Sequence, residues 1–180
     1  NLEYNASKPL ITIHLGAKDA YKQWPLSHFI DLGKRLLETF NVQLCVTGSA
    51  HENALAEAFI SQVPSALNLC NQLSLTELAA LIKLSDLLIS NDTGPMHMGF
   101  ALRVRTLAFF SPTNPALCGP LNVSPHLYRL CYETPTCTPC LGRRCPLPFC
   151  HMQTGVDRVM IQATELLKNK QTSRLKPATR

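Results

Sequence analysis

The sequence predicts an α/β domain in which a parallel sheet carries helices on both faces, and three observations support this. Short apolar segments alternate along the chain with segments whose apolar residues recur at helical spacing. The 180 residues are 46% hydrophobic, which is enough to form a substantial core. Polar turns follow several of the apolar segments, as expected where an open parallel sheet binds a ligand.

The predicted elements alternate regularly, which favours a Rossmann-like order of strands and helices. Strands are predicted at residues 10–14, 42–47, 66–69, 86–90, 104–110 and 127–131, the last as an edge strand. Helices are predicted from Pro25 to Phe40, over 51–61, from Ser74, from Pro95, and from Thr154 to about Asn169. Proline suits the start of two of these helices. A Ser-x-x-Glu pattern at Ser74 and a Thr-x-x-Asp pattern at Thr154 resemble capping boxes and mark the start of two others.

Composition divides the chain into four parts. Residues 1–131 are expected to form a binding domain, 132–153 a cysteine- and proline-rich loop, 154–169 a terminal helix packing on the same domain, and 170–180 a basic tail. Residues 1–130 hold nine Lys/Arg and nine Asp/Glu, whereas the last fifty hold eight and three, which accounts for the net charge of +5. No apolar run approaches the length of a membrane span. The chain begins with Asn1 rather than Met, which predicts that it is part of a longer protein.

The most informative segment is the run 89–97, in which an apolar strand ends, the chain turns at Gly94, and a helix starts at the proline that follows. A strand, a tight turn and a helix N-terminus together expose backbone N–H groups and the positive end of a helix dipole. This combination favours phosphate binding. Asp92, Thr93 and His97 lie where they can recognise the groups attached to that phosphate.

Two further loops are expected beside this turn. The carboxyl ends of parallel strands meet at one edge of a sheet, so loops 15–24, 48–52 and 91–97 should converge. Lys22, in the first loop, is then a companion of the phosphate-binding turn. The G-x-G-x-x-G fingerprint of dinucleotide sites does not occur. The sequence therefore predicts a site for a nucleotide-linked substrate, with a nucleotide sugar left open.

Four segments in order carry a resemblance to a known family. They are His14 with a loop ending in Lys22-Gln23-Trp24-Pro25, Gly48-Ser49-Ala50-His51-Glu52, Asn91-Asp92-Thr93-Gly94-Pro95-Met96-His97, and Phe110-Ser111-Pro112-Thr113-Asn114-Pro115 closing at Gly119-Pro120. With these segments, residues 10–120 resemble the carboxyl-terminal, donor-binding half of glycosyltransferase family 9, the bacterial heptosyltransferases. The resemblance implies half of a two-domain GT-B enzyme. Such an enzyme transfers a sugar with inversion, typically from ADP-heptose to a growing lipopolysaccharide core.

Carried over by position, the resemblance gives the matching residues expected roles. Lys22 neutralises the diphosphate, and Glu52 holds the ribose hydroxyls. Thr93 and Gly94 supply donors to phosphate, and Asp92 binds hydroxyls of the transferred sugar. Cationic groups and N–H donors beside a departing nucleoside diphosphate lower the barrier, because they bind more strongly as its charge develops.

Each of these positions also has an ordinary structural interpretation. Lys22 is then a surface lysine, Asp92 accepts backbone hydrogen bonds in a turn, and Glu52 complements a helix dipole. In the family context His97 braces the turn or touches the diphosphate, and otherwise it is a core histidine. His14, at a strand end, is expected to be structural.

The resemblance also implies partners. An inverting transferase needs a base to deprotonate the acceptor hydroxyl, and the family takes it from the amino-terminal acceptor domain. This chain alone is therefore expected to bind an ADP-sugar without effective transfer, and no catalytic residue is assigned to it. The implied acceptor is a lipid-linked saccharide, which predicts a cytoplasmic enzyme at the inner-membrane surface, where the basic tail contacts anionic lipid. Transfer requires no cofactor, and no nucleic acid is expected as a partner.

A second group of candidate functional residues lies in the cysteine-rich loop. It consists of Cys137, Cys140, Cys145 and Cys150. Four thiolates at this spacing suit a structural zinc or iron ion, and a protein-glycosylating branch of the family has an iron-binding finger of four cysteines. Reduced unliganded thiols and disulfides remain alternatives, the disulfides being least favoured in the cytoplasm. Cys45 and Cys70 are expected to be small core residues.

Two other function classes remain open. One is a stand-alone nucleotide-sugar binding module without catalysis. The other is a metal-finger module that binds nucleic acid through the cysteine loop, Arg143-Arg144 and the basic tail. Fingers of this kind bind through exposed aromatic side chains, and here Phe149 alone stands beside the thiols.

Overall fold

A computed structural model describes the backbone of residues 5–132 and 154–174 and the side chains of residues 5–132 and 154–168. Within these ranges the strands are β1 (Leu10–His14), β2 (Gln43–Thr47), β3 (Leu67–Asn68), β4 (Leu87–Asn91), β5 (Thr106–Phe110) and β6 (Tyr128–Tyr132). The helices are α1 (Leu26–Thr39), α2 (Asn53–Gln62), α3 (Leu75–Leu84), α4 (Gly94–Ala101), α5 (Pro115–Cys118) and α6 (Val156–Arg174). Short 3-10 turns cover Ala20–Lys22, Ala50–Glu52 and Pro125–Leu127.

The strands form one parallel sheet in the order β3-β2-β1-β4-β5-β6. In the middle of the sheet, Ile11 pairs with Leu44 on one side and with Leu87 on the other. The strand order reverses between β1 and β4, which is where open α/β sheets bind ligands. The predicted α/β class with a parallel, Rossmann-like sheet is confirmed.

Helices cover both faces because side chains of successive strand residues point to opposite sides. Alternate residues such as Ile11 and Ile13 pack against α1, α2 and α6. The opposite face packs against α3 and α4, where Ile82 contacts Leu88. α1 contributes Phe29, Leu32 and Leu36 to the first face, at the spacing of one helix stripe.

Several element boundaries differ from the prediction. α1 begins after Pro25, which occupies the N-cap, and α4 begins one residue before Pro95. The Ser74–Glu77 capping box is formed. α6 begins two residues after Thr154, so Thr154 is not its N-cap. The carboxylate of Asp157 pairs instead with Arg35 on α1, which joins the two helices.

Two predicted regions lie outside the described residues. The four clustered cysteines, Cys137, Cys140, Cys145 and Cys150, fall in the segment 133–153, and the end of the basic tail falls in 175–180. Their roles stay predictions. Among the described helices, none combines the length and apolarity needed to cross a bilayer.

Candidate functional site

The three loops expected to converge lie side by side at the carboxyl edge of the sheet. β1 stands between β2 and β4, so the loops that leave these strands are neighbours. Direct contacts also join the loops. Lys22 of the first loop binds Asp92 of the third, and Gly16 of the first packs against Glu52 of the second.

The charged centre of this edge is the ion pair between Lys22 and Asp92. Lys22 ends the turn Ala20–Lys22, and its Nζ lies 2.8 Å from Oδ2 of Asp92, directly after β4. The lysine side chain is 23% exposed and that of Asp92 is 6% exposed. Burial is the largest influence on the pKa of Lys22 and lowers it, but the hydrogen bond and charge of Asp92, with smaller effects from Tyr21 and Cys118, leave the pKa raised. Lys22 is therefore a fixed cation at neutral pH that solvent can still reach.

The first turn of α4 follows directly after this pair. Thr93 occupies the N-cap in extended conformation, yet its hydroxyl does not cap the helix. Instead, Thr93 Oγ1 lies 3.2 Å from Ser90 Oγ and donates to the carbonyl oxygen of Asn91 at 3.3 Å. A Cβ added to Gly94 would meet no atom within 4 Å, so the turn opens onto free space. The first N–H groups of α4 thus lack a side-chain cap and are placed to receive an anion.

His97 lies in the same turn but at the surface. Its side chain is exposed, and its ring makes an edge-on contact with Phe100 at a centroid distance of 6.4 Å. Its backbone N–H donates to the carbonyl oxygen of Thr93 at 3.4 Å. The interpretation as a core histidine is therefore wrong. The imidazole is accessible to a ligand that approaches α4.

Glu52 is held by a capping box at the end of β2. Its Oε2 accepts from both the backbone N–H and the hydroxyl of Ser49, each at 2.6 Å. Gly16 and Gly48 flank the side chain, and a Cβ on Gly16 would lie 2.5 Å from Glu52 Cγ and 2.7 Å from Oε1. One carboxylate oxygen of Glu52 is therefore bonded to Ser49, and the close packing of Gly16 and Gly48 restricts the position of the side chain.

His14 lies between the first two loops, at the end of β1. It is 8% exposed, and its Nδ1 is 3.2 Å from Oγ1 of Thr47, its register partner on β2. Burial lowers the pKa of His14 and outweighs the opposing charge of Glu52. At neutral pH the imidazole is therefore uncharged, which agrees with the structural role expected for it.

The sequence analysis missed the role of Asn91, the last residue of β4. Its side chain binds the backbone of loop 15–24 at both ends, at Leu15 and Gly16 and again at Trp24. The available signal was an amide placed at the end of a fully buried strand that is apolar from Leu87 to Ile89. Such a residue needs polar partners, and only the adjacent loops can supply them.

In the part of the chain that the structure describes, no group of three or more His, Cys, Asp or Glu residues is placed to hold a metal ion. Cys45 is buried, and burial raises the pKa of its thiol to about 11 against a hydrogen bond with Thr12. Burial likewise raises the pKa of Cys70, helped by the charge of Glu52. Both thiols are protonated core residues, as expected.

Comparison with known proteins matches this architecture to one family. The model of glycosyltransferase family 9 (heptosyltransferase) matches residues 1–151. The chain is 30% identical over 169 residues to lipooligosaccharide heptosyltransferase 2 of Campylobacter jejuni, an alignment that covers 90% of this chain and 52% of that protein. The chain thus spans about half the length of this curated relative.

Solved structures show the same fold. ADP-heptose lipopolysaccharide heptosyltransferase II of Escherichia coli superposes with a TM-score of 0.80 at 23% identity, covering 94% of this chain and 49% of that one. The iron-containing dodecameric glycosyltransferase TibC of enterotoxigenic Escherichia coli superposes with a TM-score of 0.69 at 12% identity, covering 90% and 45%. From the family match and the relative in Campylobacter, the chain belongs to glycosyltransferase family 9, the heptosyltransferase family.

Proposed function

We propose that this chain is the donor-binding half of an inverting heptosyltransferase. It binds an ADP-sugar, from which a heptose or a similar sugar passes to an acceptor of the lipopolysaccharide-core type. The observation that carries the proposal is the Lys22–Asp92 pair beside the uncapped first turn of α4. A sugar nucleotide offers a diphosphate and a set of hydroxyls, and this edge offers a cation, free N–H groups and a carboxylate to bind them.

Lys22 and the first turn of α4 hold the diphosphate in this proposal. An ammonium has three donors, so Lys22 can keep its bond to Asp92 and still donate to phosphate oxygens. The open space at Gly94 admits the phosphate close to the backbone. Because these groups stand beside the leaving group, their attraction grows as the glycosidic bond breaks and negative charge develops on the diphosphate.

The carboxylates bind hydroxyls. Asp92 uses Oδ2 for Lys22, which leaves Oδ1 to accept from a hydroxyl of the transferred sugar. Glu52 uses Oε2 for Ser49, which leaves Oε1 to accept from the ribose. Both carboxylates are thereby oriented before the ligand arrives. His97, exposed on α4, braces the turn or contacts the diphosphate.

Transfer itself needs a group outside this chain. In an inverting reaction the acceptor oxygen bonds to the anomeric carbon while the bond to the diphosphate breaks, and a base takes the acceptor proton. We assign that base to an amino-terminal acceptor domain, in keeping with a chain that spans half of its relatives. The isolated chain then binds donor but does not transfer sugar effectively.

Three parts of the proposal concern the surroundings of the site. The acceptor is a lipid-linked saccharide, and the basic residues 168–180 help hold the cytoplasmic enzyme to the inner membrane. Transfer needs no cofactor. The four clustered cysteines form a structural zinc or iron site remote from the donor, for which the thiolate donor set is suited. TibC, whose fold is similar, is an iron-containing glycosyltransferase.

Calorimetric titration of the 180-residue chain with ADP tests the donor site. Loss of a charge-assisted contact costs about 1.5–3 kcal/mol, so Lys22→Ala should weaken ADP binding roughly tenfold or more. An ADP-sugar should also bind less tightly to Asp92→Ala. Affinity should fall with added salt, because the ligand is a polyanion.

Lys34→Ala is the matched control, since Lys34 is an exposed lysine on α1 whose ammonium donates to Gln62 Oε1 on α2 at 3.4 Å. It should bind ADP as the unmodified chain does. Equal affinity in the unmodified chain, Lys22→Ala and Asp92→Ala would reject the site.

A further inference from the structure

The side chain of Asn91 fastens both ends of the loop that carries Lys22. Nδ2 of Asn91 donates to the carbonyl oxygens of Leu15 and Gly16, at 2.8 and 3.1 Å. Oδ1 accepts from the backbone N–H of Trp24 at 2.9 Å. Asn91 has no exposed surface, so water does not compete for these bonds.

An amide is the side chain that matches these three partners. Its NH₂ group faces two carbonyl oxygens, and its oxygen faces an N–H, so the reverse orientation would oppose like groups. A carboxylate of the same shape would place an oxygen against the carbonyls of Leu15 and Gly16. An apolar side chain would leave three buried backbone groups without partners, each at a cost.

These bonds connect the three loops of the site. Lys22 lies between the two loop ends that Asn91 binds, and Asp92, the next residue along the chain, binds the Lys22 ammonium. Gly16, at the fixed start of the loop, forms the wall against which the Glu52 side chain rests. One buried amide therefore joins both ends of the loop that carries Lys22 to the strand that precedes Asp92.

We propose that Asn91 is a positioning residue for the donor diphosphate, which acts by fixing the loop that presents Lys22 and does not itself touch the ligand. The inference rests on the proposed function and deepens it. The ring of Trp24 is held by contacts that do not involve Asn91. It stacks on Phe109 at a centroid distance of 4.3 Å, and its Nε1 donates to the carbonyl oxygen of Thr154 at 2.9 Å. Loss of the amide should therefore loosen residues 15–23 and leave the core in place.

A double-mutant cycle with ADP as the ligand separates positioning from general stability. Asn91→Ala should weaken ADP binding roughly tenfold, because the cation is no longer held at the phosphate. Adding Lys22→Ala to that variant should then weaken binding by less than about threefold, since the two changes remove the same contact. Effects that multiply, or an unchanged affinity in Asn91→Ala, would overturn the proposal.

Two further variants guard against a folding defect. Asn91→Asp keeps the size of the side chain, removes the donor and should behave as Asn91→Ala does. Thr12→Val removes a fully buried hydroxyl whose partners, Ser85 and Cys45, lie outside the three loops. Thr12→Val should lower stability without changing ADP affinity. If Thr12→Val also lost ADP affinity, the effect of Asn91→Ala would reflect lost stability and not lost positioning of Lys22, and the proposal would be overturned.

Hydrogen exchange tests the anchoring without any ligand. The amides of residues 15–24 should exchange faster in Asn91→Ala than in Thr12→Val, while those of β1 and β4 remain protected in both. Equal exchange of the loop in the two variants would overturn the inference. A chain that binds no ADP at all would instead overturn the proposed function, and the exchange experiment would still decide whether Asn91 holds the loop.

Discussion

Two neighbouring loops at the carboxyl edge of this sheet hold their candidate ligand-binding side chains in different ways. In the loop after β2 the Glu52 side chain is held locally, because it bonds to Ser49, three residues away. The backbone of this loop also accepts hydrogen bonds from Asn71 and Cys70, at Gly48 and Ser49. The loop after β1 is held from a distance, because Trp24 bonds to Asn91 and to Thr154, which are 67 and 130 residues away. Each loop carries a candidate ligand-binding side chain, but one side chain is positioned by a near neighbour in sequence and the other by distant residues.

The difference decides what each side chain depends on. The bonds of Glu52 can form once the chain turns after β2, and they need no other part of the fold. Lys22 reaches its position only when β4, β5 and Thr154, just before α6, are in place around the loop. The cation of the proposed site is therefore a product of tertiary structure, and one of its carboxylates is a product of local sequence.

Removing the indole is expected to have the largest effect on the distantly held loop. Trp24 is 1% exposed and contacts Phe29 and Phe109, so Trp24→Ala should lower the free energy of unfolding by about 3–5 kcal/mol. Trp24→Phe retains an aromatic ring and loses the bond to Thr154, and its cost should be nearer 1 kcal/mol. Urea denaturation measures both.

Leu75→Ala is the control, because Leu75 is 74% exposed and should change the free energy of unfolding by no more than about 0.5 kcal/mol. If Trp24→Ala were as mild as this control, the loop after β1 would not depend on its distant contacts, and the contrast between the loops would be lost.

The same contrast explains what the sequence could and could not predict. The alternation of apolar segments predicted the sheet, and the short-range Ser74-x-x-Glu77 pattern predicted a capping box that the structure contains. The convergence of the three loops at one edge followed from strand direction. The partners of Asn91 and Trp24 were not predicted, because no local pattern relates residues that meet only after the sheet forms.

Errors in the predicted boundaries have a similar cause. The Thr154-x-x-Asp157 pattern fits a cap, but Asp157 pairs with Arg35 of α1 and the helix begins after Gly155. Here a tertiary contact replaced the local one. For the candidate site, the residue types were predicted together with their loops, whereas the ion pair of Lys22 with Asp92 and the exposure of His97 became visible only in three dimensions.

The local bonds of Glu52 can be tested against an internal control, because the described residues include two capping boxes of the same pattern, Ser49–Glu52 and Ser74–Glu77. Glu52→Ala and Glu77→Ala each remove the acidic member, and each should lower the free energy of unfolding modestly, because the bonds to the N-cap backbone N–H and serine hydroxyl are lost. Under the proposed function, only Glu52→Ala should also weaken ADP binding.

Thermal or urea unfolding together with ADP titration of both variants measures this. The assignment of the ribose to Glu52 would be wrong if the two variants bound ADP equally well. A much larger loss of stability in Glu52→Ala than in Glu77→Ala would show that packing against Gly16 and Gly48 matters more for Glu52 than its bonds to Ser49.

The smallest expected effect lies where the two loops meet, at His14. Its pKa is lowered by burial, so the unfolded chain takes up a proton near the ordinary histidine pKa of 6.5 that the folded protein does not yet bind. In that window the unfolded state holds more protons, and stability must fall as the pH falls below about 6.5. His14→Gln should flatten the dependence of unfolding free energy on pH between about 5.5 and 7.5.

His28→Gln is a necessary comparison, because burial also lowers the pKa of the more exposed His28, and this variant should flatten the pH dependence less. Glu52→Ala should steepen it, since the charge of Glu52 favours protonated His14 and partly opposes the effect of burial. An identical pH dependence in the unmodified chain and in His14→Gln would show that the two loops do not share this buried imidazole as an electrostatic link.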